Sequence, residues 1–349
     1  MKYNLFNINK YDIDCSNFSH LLCDDVNAEL EEKFAKYVGA KYACVANSAS
    51  SLLFVCLDIT KRMLTRYSSD KKEAIRMNPV FLPSIIPPAV ANVVHNSGMM
   101  GIWTDNVDWV GSSYVLYDFA KSVCSKNSIE INTNFEVKGY KIIDSAQEVR
   151  RNQFEEDSCS KGDLMVFSFY PTKPVGGIDG GIVVSNDEGI INHIRSMVNL
   201  GSSESTAKDS FLRANTMAGW KMNANSAQCY YALQNLNKLD DKNEKISSIR
   251  EMYNDAFNLE NKSCHLYTID VKDRVRFMNI MKKNEIQTGV HYNACHRKRF
   301  YNIVSPPSLP LSESKNSQTV SIPLNETLTK EDAGYIIGKV KESELLIEK

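Results

Sequence analysis

Lys173 closes the segment Phe167-Ser168-Phe169-Tyr170-Pro171-Thr172-Lys173, and Gly176-Gly177 and Gly180-Gly181 follow it. A hydroxyl five residues ahead of a lysine, on a turn that leaves a strand, suits a lysine held as a Schiff base. The serine reaches a cofactor's phosphate while the amine reaches its aldehyde. Upstream, Ile142-Ile143-Asp144-Ser145-Ala146-Gln147 puts a carboxylate at the mouth of a buried apolar strand. Such a carboxylate can hold a proton on a pyridine nitrogen by a charge-assisted hydrogen bond, and Gln147 offers an amide for a ring substituent. Asp144, Gln147, Ser168 and Lys173 together point to pyridoxal 5′-phosphate, an electron sink that works best with its ring nitrogen protonated. Taken singly, each has a plainer reading: a helix N-cap for Asp144, surface side chains for Gln147 and Lys173, a small core residue for Ser168. The ordered set carries the chemistry.

These residues need elements to hold them. Residues 26–38 have helical spacing, with Leu30, Phe34, Tyr37 and Val38 on one face and Asp24 or Asp25 as cap. Lys41 to Ala46 reads as a short buried strand. Asn47-Ser48-Ala49-Ser50-Ser51 reads as a turn into a helix from Leu52 to about Arg66. Small residues at a strand-to-helix turn make an anion site, because the helix amides are free and Ser50 adds a hydroxyl. Arg66 to Lys72 is expected as a surface loop. Strands are expected at 79–83, 98–104, 115–116, 141–143 and 164–169, with Gly181 to Val184 an antiparallel neighbour of the cofactor strand. Strands alternating with helical patterns argue for an open α/β sheet. Helical patterns at 227–239 and 243–257 lead toward a second domain, so the expected division is a large domain over 1–240 and a small one over 241–349.

The same motifs resemble those of the DegT- or StrS-type nucleotide-sugar aminotransferases, a branch of the fold-type I, aspartate-aminotransferase-like enzymes. The resemblance rests on Asp144, Ala146 and Gln147, on Ser168, Phe169, Lys173 and Gly180-Gly181, and on two upstream segments. These are Leu30-Glu31-Glu32-Lys33-Phe34-Ala35-Lys36-Tyr37-Val38-Gly39 and Asn47-Ser48-Ala49-Ser50. It implies an α/β large domain with a mostly parallel open sheet and a smaller α+β C-terminal domain. It also implies ping-pong transfer of an amino group from L-glutamate to a nucleotide-linked keto-deoxysugar, the cofactor bonded to Lys173 as pyridoxal phosphate and freed from it as pyridoxamine phosphate. The segment Gly219-Trp220-Lys221-Met222-Asn223 leans toward C4 of a dTDP- or UDP-4-keto-6-deoxyhexose.

By resemblance the cofactor is bound by Ala49, Ser50, Pro87, Asp144, Gln147, Ser168, Lys221 and Asn223, the last two reaching across a homodimer whose subunits share active sites. Tyr170, His291, Tyr292 and His296 would face the substrate. The chain departs from the family at Pro87, where an aromatic that stacks on the ring is expected, and at Ala49, where glycine is usual. Alternatives are C3 amination, a sugar dehydratase or a non-catalytic homologue. Dehydratase relatives replace the lysine with histidine, so Lys173 argues against that reading.

Composition narrows the classes further. With 349 residues and a net charge of -1, the chain can bury a large core but carries no basic field for nucleic acid and no polybasic membrane arm. Nine scattered cysteines, with no Cys-x-x-Cys pair and no His/Cys cluster at ligand spacing, suggest a reducing cytoplasm and no metal. The apolar stretch from Val80 to Val94 is interrupted by Pro83, Pro87 and Pro88 and is too short to span a bilayer.

Overall fold

The spacing of apolar residues in the first helix decides where it lies: α1 (Asp25–Val38) buries Leu30, Phe34, Tyr37 and Val38. Phe34 meets Phe167 and Phe169 edge-on, with ring centroids 4.9 and 5.5 Å apart. The structure, a computed structural model, describes residues 1–14, 16, 18, 20–21, 25–66, 68–119, 140–202, 215–301, 303–304 and 308–347. After α1 come β1 (Tyr42–Ala46), α2 (Ala49–Arg66), α3 (Lys71–Arg76), β2 (Val80–Pro83), α4 (Pro88–Ser97) and β3 (Gly101–Thr104). Then follow β4 (Tyr114–Asp118), β5 (Lys141–Asp144), α5 (Gln153–Glu156), β6 (Leu164–Ser168), β7 (Gly181–Ser185) and α6 (Glu188–Val198). The last part holds α7 (Ser226–Leu236), α8 (Leu239–Phe257), β8 (Tyr267–Asp270), α9 (Arg274–Lys283), β9 (Ile303–Val304), α10 (Pro310–Gln318), β10 (Thr319–Ile322) and α11 (Lys330–Glu342).

The α/β class expected from the sequence is the one observed. Five strands pair in the order β1-β7-β6-β5-β4, and β2-β3-β9 form a parallel group beside them. In the first group β1, β5 and β6 run one way, while β7 and β4 oppose them. The antiparallel setting of β7 against β6 is the one expected for Gly181 to Val184. The reversal of β4 follows from its connection. Residues 105–113 link β3 to β4, and a crossover to the far end of a sheet takes a dozen residues or more. The chain therefore re-enters at the end it left, which sets Tyr114 opposite Asp144.

Three local expectations change. Helix α2 starts at Ala49, three residues before Leu52. Within the expected loop, Asp70 accepts hydrogen bonds from the Lys72 and Glu73 amides at 3.0 Å and starts α3. Pro87 and Pro88 do not only break an apolar run; they open α4, where a proline at the first position loses no hydrogen bond.

Among the described residues, three buried clusters form the core. Two of them sandwich the five-stranded group. The third gathers α8, β8, α9, β10 and α11 around Tyr253, Tyr267 and Phe277, and it includes Tyr3. The N-terminal segment is tied there: the Lys2 and Tyr3 amides donate to Glu285 O at 3.1 Å, and Gln287 N donates to Tyr3 O at 2.8 Å. Among the described residues no helix is long and apolar enough to cross a membrane.

Candidate active site

One end of the five-stranded group collects the residues singled out above. Asp144 and Ser168 are the last residues of β5 and β6, and Ala46, the last of β1, pairs with Gly181, the first of β7. Ser168 also pairs with Gly181. Gly181 lies against the start of α2 so closely that an added Cβ would fall 2.7 Å from Ala49 Cα, and closer still to its nitrogen. Glycine here lets the helix N-terminus approach Ser168. In that turn Ser48 Oγ caps the Ser51 amide at 3.1 Å, and Ser50 is the second residue of the helix. Ser168 Oγ accepts the Tyr170 amide at 3.2 Å. A helix start flanked by hydroxyls suits a phosphate.

Asp144 is buried at 4% exposure. Its Oδ1 accepts the Ala146 amide at 3.0 Å and its Oδ2 the Tyr114 hydroxyl at 2.9 Å. Burial pushes this carboxyl above its ordinary range, while the Ala146 N–H, the Tyr114 hydroxyl and the Lys173 charge pull it back. Lys173 sits in the turn after β6, held by its amide on Tyr170 O at 2.8 Å. Burial pushes its amine below the usual lysine range, against the opposing pull of Asp144. A lysine biased toward its neutral form is a better nucleophile. The loop beyond it is clamped from two helices. Lys242 of α8 donates to Pro174 O at 2.8 Å, and Asn235 of α7 donates to Gly176 O.

The donor set therefore fits pyridoxal 5′-phosphate: an anion cradle, an amine and a buried carboxylate at one sheet end. Gln147 is differently engaged. Its Oε1 accepts the Gly111 amide at 2.7 Å and its Nε2 donates to Tyr292 Oη at 2.8 Å. Tyr292, expected to face substrate, thus ties the 289–296 segment to the cofactor side of the sheet. His291 Nδ1 meets Ser321 Oγ at 2.8 Å, and burial, with Lys173 nearby, holds its ring down to about 4. His296 Nδ1 bonds Ser84 Oγ, and Tyr170 is 54% exposed beside Lys173. Pro87 caps α4, half-buried. Lys221 is exposed and Asn223 half-buried; Asn47 N donates to Met222 O at 2.7 Å, which sets their segment beside the α2 turn of the same chain.

Sequence reasoning missed four side chains at this site. Tyr114 and Trp109 arrive through the short 105–113 connection. Trp109 packs at 4.6 Å from the Tyr114 ring and lies nearly parallel to Tyr292 at 6.3 Å, its Nε1 donating to Ile85 O at 3.0 Å. Phe6 and His265 stack at 5.2 Å in the cavity that Lys173 also lines. Burial holds His265 well below the ordinary histidine range, with Lys173, His291 and Lys242 adding to the effect. None of these has a local signature, because each is brought in by a connection length or by a distant segment.

Residues 136–341 match the DegT/DnrJ/EryC1/StrS aminotransferase family. The chain is 24% identical over 379 aligned positions to a UDP-4-amino-4,6-dideoxy-N-acetyl-beta-L-altrosamine transaminase of Campylobacter jejuni, covering 96% of this chain and 95% of that one. It is 25% identical to a dTDP-3-amino-3,6-dideoxy-alpha-D-galactopyranose transaminase of Aneurinibacillus thermoaerophilus, covering 89% and 88%. Its fold is that of a Helicobacter pylori aminotransferase involved in the biosynthesis of pseudoaminic acid, at a TM-score of 0.69 and 19% identity, covering 97% and 99%.

Proposed function

We propose, from the premise that this chain belongs to the DegT/DnrJ/EryC1/StrS aminotransferase family, that it moves an amino group from L-glutamate to C4 of a nucleotide-linked 4-keto-6-deoxyhexose. The chain is an aminotransferase and its cofactor is pyridoxal 5′-phosphate. The observation that carries the site assignment is the gathering of Asp144, Ser168, Lys173 and the α2 turn at one sheet end. The C4 position is favoured by the 4-amino sugar in the name of the Campylobacter relative. A 3-amino product in the name of the Aneurinibacillus relative keeps C3 as the second reading.

When bound, the cofactor supplies an aldehyde that condenses with amines and a ring that withdraws electrons from the attached carbon. Lys173 Nζ, biased toward its neutral form by burial, would serve as the amine that holds the cofactor's aldehyde and as the base that moves a proton at the substrate carbon. Asp144 holds the proton on the ring nitrogen. Ser50, Ser168 and the first amides of α2 hold the phosphate, with Ala49 keeping the turn small. Gln147 and Tyr292 brace the ring side of the site through their mutual hydrogen bond. Phe6 and His265 close the cavity beside Lys173 against water. Lys221 and Asn223 complete a phosphate site across a homodimer, and His291, His296 and Tyr170 lie on the substrate side.

The test is an absorption spectrum of the purified protein with pyridoxal 5′-phosphate, before and after L-glutamate, followed by UDP- and dTDP-linked 4-keto- and 3-keto-6-deoxyhexoses. A visible band that glutamate bleaches and one keto-sugar restores is the expected result. A band indifferent to glutamate rules out that donor. Restoration by a 3-keto sugar alone moves the reaction to C3.

A further inference from the structure

Resting on the cofactor site just described, we propose that Tyr114 is a positioning residue that keeps Asp144 ionised and aimed, so that the carboxylate holds a proton on the cofactor's ring nitrogen. Tyr114 opens β4 directly opposite Asp144, and its O–H donates to Oδ2 at 2.9 Å while the Ala146 amide takes Oδ1. Each carboxylate oxygen accepts more than one hydrogen bond, so both contacts leave room for a third donor. Both side chains are buried, and Trp109 packs against the phenol ring and fixes its place.

Among the described residues, three groups able to carry charge face Asp144: Lys173 from the turn after β6, Tyr114 from β4, and Tyr292 from the 289–296 segment. Of these, Tyr114 is the one whose side chain bonds the carboxylate directly. Its effect has a definite sign. A proton shared between Asp144 and a ring nitrogen moves toward whichever is more basic. An O–H donor on the carboxylate makes it less basic, so the proton stays on nitrogen and the ring remains a strong electron sink.

The reversed β4 is what delivers this group. Were β4 parallel to β5, its other end, at Asp118, would lie beside Asp144, and a carboxylate there would work against ionisation rather than for it.

The experiment uses the full chain carrying carboxyl-labelled aspartate, free of cofactor, with the Asp144 resonance followed against pH. In Tyr114→Phe the Asp144 midpoint is expected to rise by roughly one pH unit, and the dissociation constant for pyridoxal 5′-phosphate by roughly tenfold, as the loss of one hydrogen bond to a charged group requires. Tyr292→Phe, which leaves Tyr114 in place, keeps the midpoint where it was. Incorporation of 3-fluorotyrosine, a stronger donor of the same shape, lowers the midpoint, and this arm does not depend on the fold tolerating phenylalanine. A midpoint that neither change moves overturns the proposal. So does a shifted midpoint with unchanged cofactor affinity. Failure of the unsubstituted protein to take up cofactor overturns both this proposal and the site beneath it, and it is told apart because it needs no substitution to be seen.

Discussion

Replacing Gly181 by alanine presses a methyl group into the turn that starts α2. The new Cβ meets Ala49 Cα at 2.7 Å and Ser48 C at 2.8 Å, with the Ala49 nitrogen nearer still. All three are backbone atoms, so no flexible side-chain end can swing away. Gly181 is itself held by ladder pairs to Ala46 on one side and Ser168 on the other, and the turn is the part that yields. Overpacking of this kind costs about 1–3 kcal/mol of stability. The displaced amides then miss the phosphate. Losing one hydrogen bond to a charged group, about 1.5 kcal/mol or more, weakens cofactor binding roughly tenfold. Denaturant unfolding of the cofactor-free protein measures the first effect, and a pyridoxal 5′-phosphate titration followed by absorption measures the second. Gly334→Ala, in α11 with nothing within 4 Å of the added carbon, is the control and should leave affinity unchanged. A Gly181→Ala protein that binds cofactor like its parent would refute the argument, however much stability it had lost.

Two further outcomes follow from the site. Lys173→Ala should abolish turnover and the band of the lysine Schiff base while the phosphate and ring contacts still retain cofactor; ordinary turnover by that variant would remove Lys173 from the chemistry. Stability should fall as the pH drops from about 6.5 toward 4, because the unfolded chain protonates its histidines near 6.5 while His291 stays neutral down to about 4. The unfolded state binds more protons in that window, so stability rises with pH across it, by up to about 3 kcal/mol for His291. Unfolding midpoints measured against pH for the parent and for His291→Asn check this. Identical slopes would show that His291 titrates normally in the folded protein.

What could be read from the sequence was whatever lay within a few residues of a strand end. Asp144, Ser168, Lys173 and the Ala49-Ser50 turn each follow a short apolar run, and period and punctuation place them. Helix α4 is hidden because Pro87 and Pro88 read as breaks in an apolar run, although proline is also a helix starter. Helix α3 was hidden by its polar composition, even though Asp70 ahead of Glu73 was a capping signal. Tyr114 and Trp109 escaped for a different reason. The direction of a strand depends on how far its connection reaches, and nothing in Tyr114-Val115-Leu116 states which way it will run.

The boundary between β4 and β2 has a consequence for how the protein breathes. The two strands lie side by side, yet among the described residues no ladder bond joins them. Packed side chains such as Leu82 and Leu116, in one core cluster, and the hydrogen bonds from Trp109 and Gln147 bridge the line. Opening there breaks packing and the Trp109–Ile85 O and Gln147–Tyr292 hydrogen bonds but no strand ladder, so it is cheaper than separating neighbouring strands between β1 and β4. Asp144, Ser168 and the turn carrying Lys173 lie on one side of that line, and Ser84, which anchors His296, lies on the other. Because that opening leaves the β2–β3 and β5–β6 ladders intact, it should show as solvent access to side chains along the line before the amides of these strands exchange. The β2–β3–β9 side can then loosen as one body while the strands that carry Asp144 and Ser168 keep their ladder bonds.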